Sequence, residues 1–504
     1  MITQEIQNLE TLSSSVVQEY RGIIFFERLV DRNGNVKDVK VIYTKLYEFL
    51  MSLGFFRFDI GREFIMVKRN NNIIEPVSIH EIQDVFFDHI KEFPDELPGG
   101  LSKEMLIEKF NKSPDTYFST KRFSLLRSDT QFEFLEDSMT SAYFFYRNGY
   151  VECTPSGWYL KSYDQLEKVI WKSQILDRIF LHQQIEEIPK FKNLGIFAQF
   201  IYNVCAGKDK RIASLCTAMG YMLHSYMNMK LKAIILTDGK ISESPDGRTG
   251  KSLVLQALSQ MKKTTILKGK EFDDRDKFKY DELDIDTKLL ALDDVKPRFN
   301  IETMFNVITE GVRVNKKNKQ PLSVRPKIAI TTNRTISIEG ASAKDRAFEF
   351  EFADHYSDKF SPYDEFGKWF FKDDFTDQDW CQFDNFMLYC VSVYLEKGLI
   401  AAESISLDRR KLIEATSSDF IEFMEGLFES GNLKTGEKCL KKDLHILFLR
   451  DYPEYTGKSH LGQMAGFTKA LKLFARYTPG FAEVTKDDEI KSGANRYIIF
   501  RAKI

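Results

Sequence analysis

Cysteine and histidine are scarce in this chain and stand in no useful pattern. Six cysteines, at 153, 205, 216, 381, 390 and 439, share no paired short spacing, and seven histidines are scattered. Neither supplies the ligand pairs of a structural zinc site, and the thiols read as reduced and mostly buried in a cytosolic protein. Long apolar runs are missing too. None approaches the roughly eighteen residues that a membrane-crossing helix needs. The first residues, Met-Ile-Thr-Gln-Glu-Ile-Gln, lack a basic stretch before an apolar one, so no signal peptide is expected. No excess of charge of one sign is present. The formal net charge is −2, so any contact with a polyanion has to come from a local patch. Repeats and low-complexity segments are absent. What is there, 504 residues with 43% hydrophobic and 29% charged content, suits about three folded domains with ample core.

The chain centres on residues 230–252. Ala233 to Leu236 is an apolar run and reads as a buried strand. A loop with Gly247 and Gly250 follows. Lys251-Ser252 then opens an apolar helix pattern through Leu253, Val254, Leu255 and Leu258. Strand, glycine loop, Lys-Ser and helix is the order of a P-loop. Backbone N–H groups of Gly247, Arg248, Thr249 and Gly250 would face phosphate oxygens, where the helix N-terminus adds partial positive charge. Lys251, expected in an exposed loop, would reach the β- and γ-phosphates of ATP, and Ser252 would hold Mg²⁺. Pro245 stands where the usual pattern has a further glycine.

Two strand ends complete the set. Leu289 to Leu292 is a second apolar strand, and Asp293 and Asp294 emerge at its C-terminal end, where ligands bind in α/β sheets. One acid would coordinate Mg²⁺ through water, and the other would polarise the attacking water. The first role falls to Asp293 and the second to Asp294. The plainer reading, two acids in a turn after a buried strand, loses ground to their spacing after Lys251. A third apolar strand, from Lys327, ends in Thr331-Thr332-Asn333, whose amide can orient water and sense a γ-phosphate. Between these strands, Val312 to Val314 leads into a basic tip and Leu322 to Val324 leads back. That reads as a β-hairpin presenting Arg313, Lys316, Lys317 and Lys319 to phosphates. Composition alone favours a solvated turn there, and the position between the acid and amide strands reverses the choice. Arg346 precedes a strand at Ala347–Phe352. It could reach a γ-phosphate across a subunit boundary, or pair with Asp345 or Glu349.

The flanks are less telling. Residues 1–110 read as a small α+β domain with a hairpin, two helices and two further strands. Asp84 and Asp88 lie one helical turn apart there, which is more simply a solvated face than a metal pair. Residues 111–185 are aromatic-rich, with short strands at Ala142–Phe145, Tyr150–Cys153 and Trp158–Leu160. Tyr163 and Trp171 could stack on bases, but they interleave with Ile and Leu as core residues do. Residues 186–230 are helical, either a collar that positions neighbouring subunits or a cap on the core. Residues 231–400 hold the nucleotide core and its flanking helices. Residues 412–504 read as three helices and a hairpin whose arms are Phe481–Val484 and Arg496–Phe500. That suggests a winged helix with Lys434, Lys438, Lys441, Lys442, Lys458 and Lys469 on its surface.

As a set, the parts from Gly247 to Arg346 resemble the superfamily 3 helicases, AAA+-type motors of viruses, phages and plasmids. The run Val312 to Lys319, followed by Pro326 to Asn333, looks like the hairpin and sensor strand of parvovirus replication proteins, and Lys344 to Phe352 like their finger strand. Gly220 to His224 and the winged-helix pattern resemble phage and poxvirus-type primase-helicases. The resemblance implies an α/β P-loop NTPase core (AAA+-like) with an N-terminal α+β region, a helical collar and a C-terminal winged-helix-like domain. It implies ATP and Mg²⁺ at Lys251 and Ser252, metal and water at Asp293 and Asp294, a sensor at Asn333 and a finger acting in trans at Arg346. Lys317 and Lys319 match hairpin lysines that track DNA in the pore. The expectation is a hexameric ring that moves on single-stranded DNA in the cytoplasm of a bacterial host, alongside other replication proteins. Two alternatives stay open: a fused primase-helicase with its polymerase site in residues 1–185, and an ATP-binding initiator or scaffold that does not unwind.

Overall fold

The computed structural model describes residues 22–60, 63–127, 133–183, 194–228, 230–239, 248–296, 299–315, 322–334, 336, 338, 341–457 and 459–503. Gly247, Lys316, Lys317, Lys319 and Lys458 lie outside the described residues. The chain is a mixed α/β protein built on a parallel sheet. Its five strands are β1 (Ala233–Asp238), β2 (Thr264–Lys268), β3 (Leu289–Asp293), β4 (Lys327–Thr332) and β5 (Ala347–Phe352), in the order β2-β3-β4-β1-β5 with every pairing parallel. A parallel sheet is covered on both faces, which is why β1, β3 and β4 are nearly continuous apolar runs.

Side-chain alternation splits these runs between two cores. Ile234, Leu236, Leu289, Ala291 and Ala329 face one layer, with helices α1 (Ile196–Val204), α2 (Asp209–Leu223), α3 (Lys251–Ser259) and α4 (Asp377–Lys397). Ala233, Ile235, Leu290, Leu292, Ile328 and Ile330 face the other, with Tyr280, Met304 and the hairpin residues Val312, Val314 and Val324. The helices read from sequence as a collar or cap therefore share one core with the sheet. Gly220 on α2 lets α4 approach closely, because a Cβ there would collide with the Cys390 carbonyl.

Residues 22–126 form an α+β module around Phe25, Phe49, Phe86 and Phe110, whose core runs past residue 110 as far as Leu126 and whose sheet adds Ile170–Trp171 as a parallel strand beside Ile73–Pro76. Asp84 and Asp88 are exposed on its helix Ile79–Lys91, and Asp88 pairs with Lys91 at 2.8 Å. The aromatic region follows as an antiparallel meander, Ala142–Tyr146, Gly149–Thr154 and Gly157–Lys161. Trp171 is buried between Phe58 and Phe134, and the Tyr163 hydroxyl donates to the Tyr146 carbonyl at 2.7 Å, so both rings serve the core. Arg178 and Asp384, 2.6 Å apart and mostly buried, fasten this region to α4.

The C-terminal module has helices at Leu407–Ala415, Ser418–Glu429, Lys441–Asp451 and Met464–Tyr477. Its antiparallel sheet orders Lys438–Leu440, Asn495–Ile499 and Glu489–Ser492. The first hairpin arm lies at 489–492 and not at 481–484. Asp488, buried and joined to Arg501, caps a turn with Thr485 that delays the strand, while Phe481 packs into the module's core. Lys441, read as a surface lysine, is buried and pairs with Glu489 at 2.7 Å. All six cysteines are free, and 153, 205, 216 and 390 are buried. Among the described residues no helix is long and apolar enough to cross a membrane.

Lys327 opens β4 with its side chain buried. Its ammonium has no hydrogen-bond partner and sits 4.0 Å from the centroid of the Tyr221 ring. Burial pushes this group down to about 7 from its ordinary 10.5. Between those values the unfolded chain binds the proton and the folded chain does not, so this group adds stability as pH rises through that window and subtracts it below. Lys327→Met should be more stable than the wild type at pH 7. The gap should narrow by about 1 kcal/mol per pH unit on going toward pH 10. Urea unfolding at several pH values checks this, and a gap that does not change with pH refutes it.

Candidate functional site

The C-terminal edge of the sheet gathers the polar groups. β1 ends at Asp238, and α3 starts at Lys251 after Gly250. Gly250 has φ +99°, and a Cβ there would lie 2.6 Å from the Phe200 ring, so left-handed backbone and close packing both require glycine. Lys251 is not exposed as the sequence suggested. Its side chain is 6% exposed and its ammonium lies 2.5 Å from an Asp238 carboxylate oxygen whose side chain is 3% exposed. Thr249, also buried, donates to the same carboxylate. Burial holds the Lys251 ammonium below the usual lysine range, against the pull of Asp238. Arg248, at φ +66°, pairs with Asp358 at 3.1 Å.

The acid pair sits two strands away. Ser252 Oγ donates to Asp293 Oδ1 at 2.9 Å, so the two side chains read as Mg²⁺ ligands meet. Thr331 Oγ1 donates to the same oxygen at 2.5 Å and accepts from the Asp294 N–H at 2.7 Å. Asp294 has φ +56°, an uncommon conformation for a residue with a side chain, and this turn is held by Thr331. Its carboxylate accepts from Asn333 Nδ2 at 3.3 Å and meets Lys270 at 2.6 Å. Lys251, Ser252, Asp293, Asp294 and Asn333 thus converge. A hydroxyl beside a carboxylate suits a small hard cation that takes its other ligands from water and phosphate. Among the described residues no three His, Cys, Asp or Glu side chains cluster as a metal cage.

Two buried groups here were not singled out in the sequence. Asp238 is one. Arg410 is the other, 5% exposed, with its guanidinium 3.3 Å from Thr237 Oγ1 and 3.2 Å from the Asn333 carbonyl. Burial lowers it below the ordinary arginine value. The linker before it is pinned to β5, where the buried Glu351 carboxylate accepts from the N–H groups of Ile405 at 2.6 Å and Ser406 at 3.1 Å. Lying in the charged run Asp408 to Lys411, Arg410 carries no local signal of burial.

Arg346 and Arg313 are elsewhere. Arg346 ends the helix Ala341–Arg346, directly before β5, and β5 runs parallel to β1 with Ala347 beside Ala233 and Phe352 beside Asp238. A strand of this length spans roughly 20 Å, so Arg346 sits at the edge of the sheet away from Lys251. Its guanidinium lies 5.3 Å from the Phe305 ring centroid and donates to Ser342 Oγ at 2.5 Å, while its Nε is buried without a partner. Glu349 pairs with Lys411 at 2.7 Å. Arg313 is exposed on the hairpin, opposite Ser323, as the alternation required.

No family model and no curated protein matches the chain. Among solved structures it is similar to the A-form apo structure of the NrS-1 C-terminal region, at 13% identity and TM-score 0.42, covering 90% of this chain and 98% of that one. A second apo structure of that region, residues 305–718, matches at 12% identity and TM-score 0.41 over the same shares. Likeness at that level says nothing of what this chain does.

Removing Lys251 alone leaves Asp238 buried and uncompensated. Lys251→Ala should cost about 3–5 kcal/mol of folding stability, where an exposed loop lysine would cost almost nothing. Lys251→Met with Asp238→Leu should recover most of that loss. Urea denaturation of the two variants tests it, and a single variant as stable as the wild type would show that the pair is not formed.

Proposed function

We propose that this chain is an ATP hydrolase that works as a ring-forming motor on single-stranded DNA. The observation that supports it most is the convergence of Lys251, Ser252, Asp293, Asp294 and Asn333 on one edge of a parallel sheet. In this reading the phosphates of ATP take over the Lys251 ammonium from Asp238. Ser252 and Asp293 hold Mg²⁺, which when bound neutralises phosphate charge in the transition state. Asp294 accepts a proton from the attacking water, and Asn333, hydrogen-bonded to Asp294, orients that water beside the γ-phosphate. Arg410 adds a buried cation from the C-terminal module and ties that module to the state of the site.

Arg346 supports a ring through its distance from its own site. A guanidinium at the far edge of the sheet can stabilise a γ-phosphate only in a neighbouring chain. Hexamer formation, the winged-helix role of residues 412–504 and DNA contacts at Arg313, Lys316, Lys317 and Lys319 belong to the same proposal.

Arg346→Ala and Asp294→Asn should each bind ATP but hydrolyse it on the order of 10³-fold more slowly. Asparagine tolerates the positive φ at 294, so the second variant keeps its fold. Mixed assemblies pair an intact Asp294 site with a neighbour's intact Arg346 and should regain part of the ATPase activity. If mixed assemblies form and regain nothing, Arg346 does not act in trans. Separately, Lys317→Ala with Lys319→Ala should weaken single-stranded DNA binding and flatten its salt dependence while basal ATPase survives. Unchanged affinity and slope would remove the hairpin from the DNA path.

A further inference from the structure

The opposite edge of the sheet carries its own charge pattern. Three neighbouring strands, β2, β3 and β4, are each preceded by a cation: Lys263 just before Thr264, Lys288 just before Leu289, and Arg325 two residues before Lys327. Backbone bonds hold the row in register, Lys288 N–H to the Lys263 carbonyl and Lys327 N–H to the Lys288 carbonyl, each at 2.9 Å. These residues, with Lys262, line a cavity of about 420 Å³ closed on its other side by residues 135–137, 143–145 and 225–227.

The charges in this cavity do not balance. Lys262 is matched by Asp137 at 2.7 Å, with both side chains at least nine-tenths buried, and Lys263 meets Asp284 at 3.4 Å. Lys288 is half-buried and, among the described residues, pairs with no carboxylate. Arg325 spends one nitrogen on the Thr309 carbonyl at 2.9 Å, and among the described residues the rest of its fork has no partner. Glu136 is exposed at the wall. Unmatched ammonium and guanidinium groups in a partly enclosed space attract an anion, and a guanidinium fork suits phosphate. The volume exceeds what an inorganic ion fills and falls in the range of small-molecule sites. Tyr143 and Tyr226, both partly exposed on the walls, offer faces for a base.

We propose that this cavity is a second phosphate site, taking one nucleotide unit with its phosphate on Lys288 and Arg325 and its base against the aromatic wall. The unit is either a free nucleoside monophosphate or one residue of a single strand. Ser323 and Val324, the return arm of the hairpin, form part of the wall, so an occupant touches that arm. The site shares no residue with the Lys251 edge and does not depend on ATP hydrolysis there.

The full chain is titrated with fluorescent AMP in the presence of saturating ADP, and separately with a fluorescent eight-nucleotide oligo-dT. Photo-crosslinked peptides are then mapped with 8-azido-AMP and with an oligonucleotide carrying a photoreactive thymine. AMP binding that falls at least roughly tenfold in Lys288→Gln with Arg325→Gln supports the free-nucleotide form, provided that crosslinks map to the peptides of Tyr143 or Tyr226. Oligonucleotide binding with the same loss and the same crosslinks, without AMP binding, supports the strand form. Lys288→Arg should keep the affinity in either case. If the double variant does not fold, each single glutamine variant should show a partial loss. Binding of neither ligand, crosslinks elsewhere, or an affinity unmoved by folded variants overturns the site.

Discussion

The link between the acid pair and the Lys251 side of the candidate site depends on β4 lying between β1 and β3. Neighbouring strands are about 4.8 Å apart, so the acid strand stands roughly 10 Å from the strand that leads to Lys251. That gap is wide enough for a terminal phosphate and a water molecule, and its floor is the end of β4. Thr331 closes the floor on the acid side, donating to Asp293 and accepting from the Asp294 backbone. Asn333 closes it on the other, between Asp294 and the Arg410 guanidinium. Were β3 paired directly with β1, the acids would crowd Lys251 and the amide would have no place between them.

The electrostatics of the edge follow from burial. Lys251, Asp238 and Arg410 are all at least nine-tenths buried, and a buried charge is costly unless another meets it. Asp238 meets Lys251 here, so the lysine is held in place before any substrate arrives. In the proposed reading a triphosphate replaces that carboxylate with several negative oxygens, and Asp238 keeps Thr249 as its partner. Exchange of partners within a dry site changes the local charge without first bringing the lysine in from water. In that reading Arg410 and Glu351 would connect the C-terminal linker to what occupies the edge.

The sequence makes the strands and their ends legible because those signals are local. Apolar runs at 233–236, 289–292 and 328–330 mark strands whatever surrounds them, and the polar residues that follow fall at the strand ends. The places of Asp293, Asp294 and Asn333 at strand ends were readable for that reason, and those of Lys251 and Ser252 from the apolar helix pattern that follows them. Asp238 and Arg410 were not, because their roles come from contacts with residues 13 and 173 positions away. The burial of Lys251 was missed for the same cause. The first arm of the C-terminal hairpin was misread because the run Phe481 to Val484 satisfies a strand pattern while the buried Asp488 turn intervenes. The N-terminal core passes residue 110 because Tyr117, Phe118, Phe123 and Leu126 fold back onto the Phe86 and Phe110 rings, which no periodic pattern records.

A parallel sheet has two unlike edges, and this chain uses them differently. All carboxyl ends of the strands, with the acid pair and the Lys251 helix, lie on one edge. Arg346, Lys288, Arg325 and Lys327 lie at the other, where strands begin. An arrangement in which Arg346 serves a neighbour's acid edge therefore brings unlike surfaces together, the beginning edge of one chain against the ending edge of the next. Such a contact cannot be two-fold symmetric. Repeated, it either closes into a ring or continues as an open helix, and which of these occurs is set by the rotation between neighbours. The rigid strands fix the distance between the two edges within each chain. In such an arrangement a change at one acid edge would reach the next chain only by moving a whole sheet, or by altering the two helices that hold Arg346 through Ser342 and Phe305.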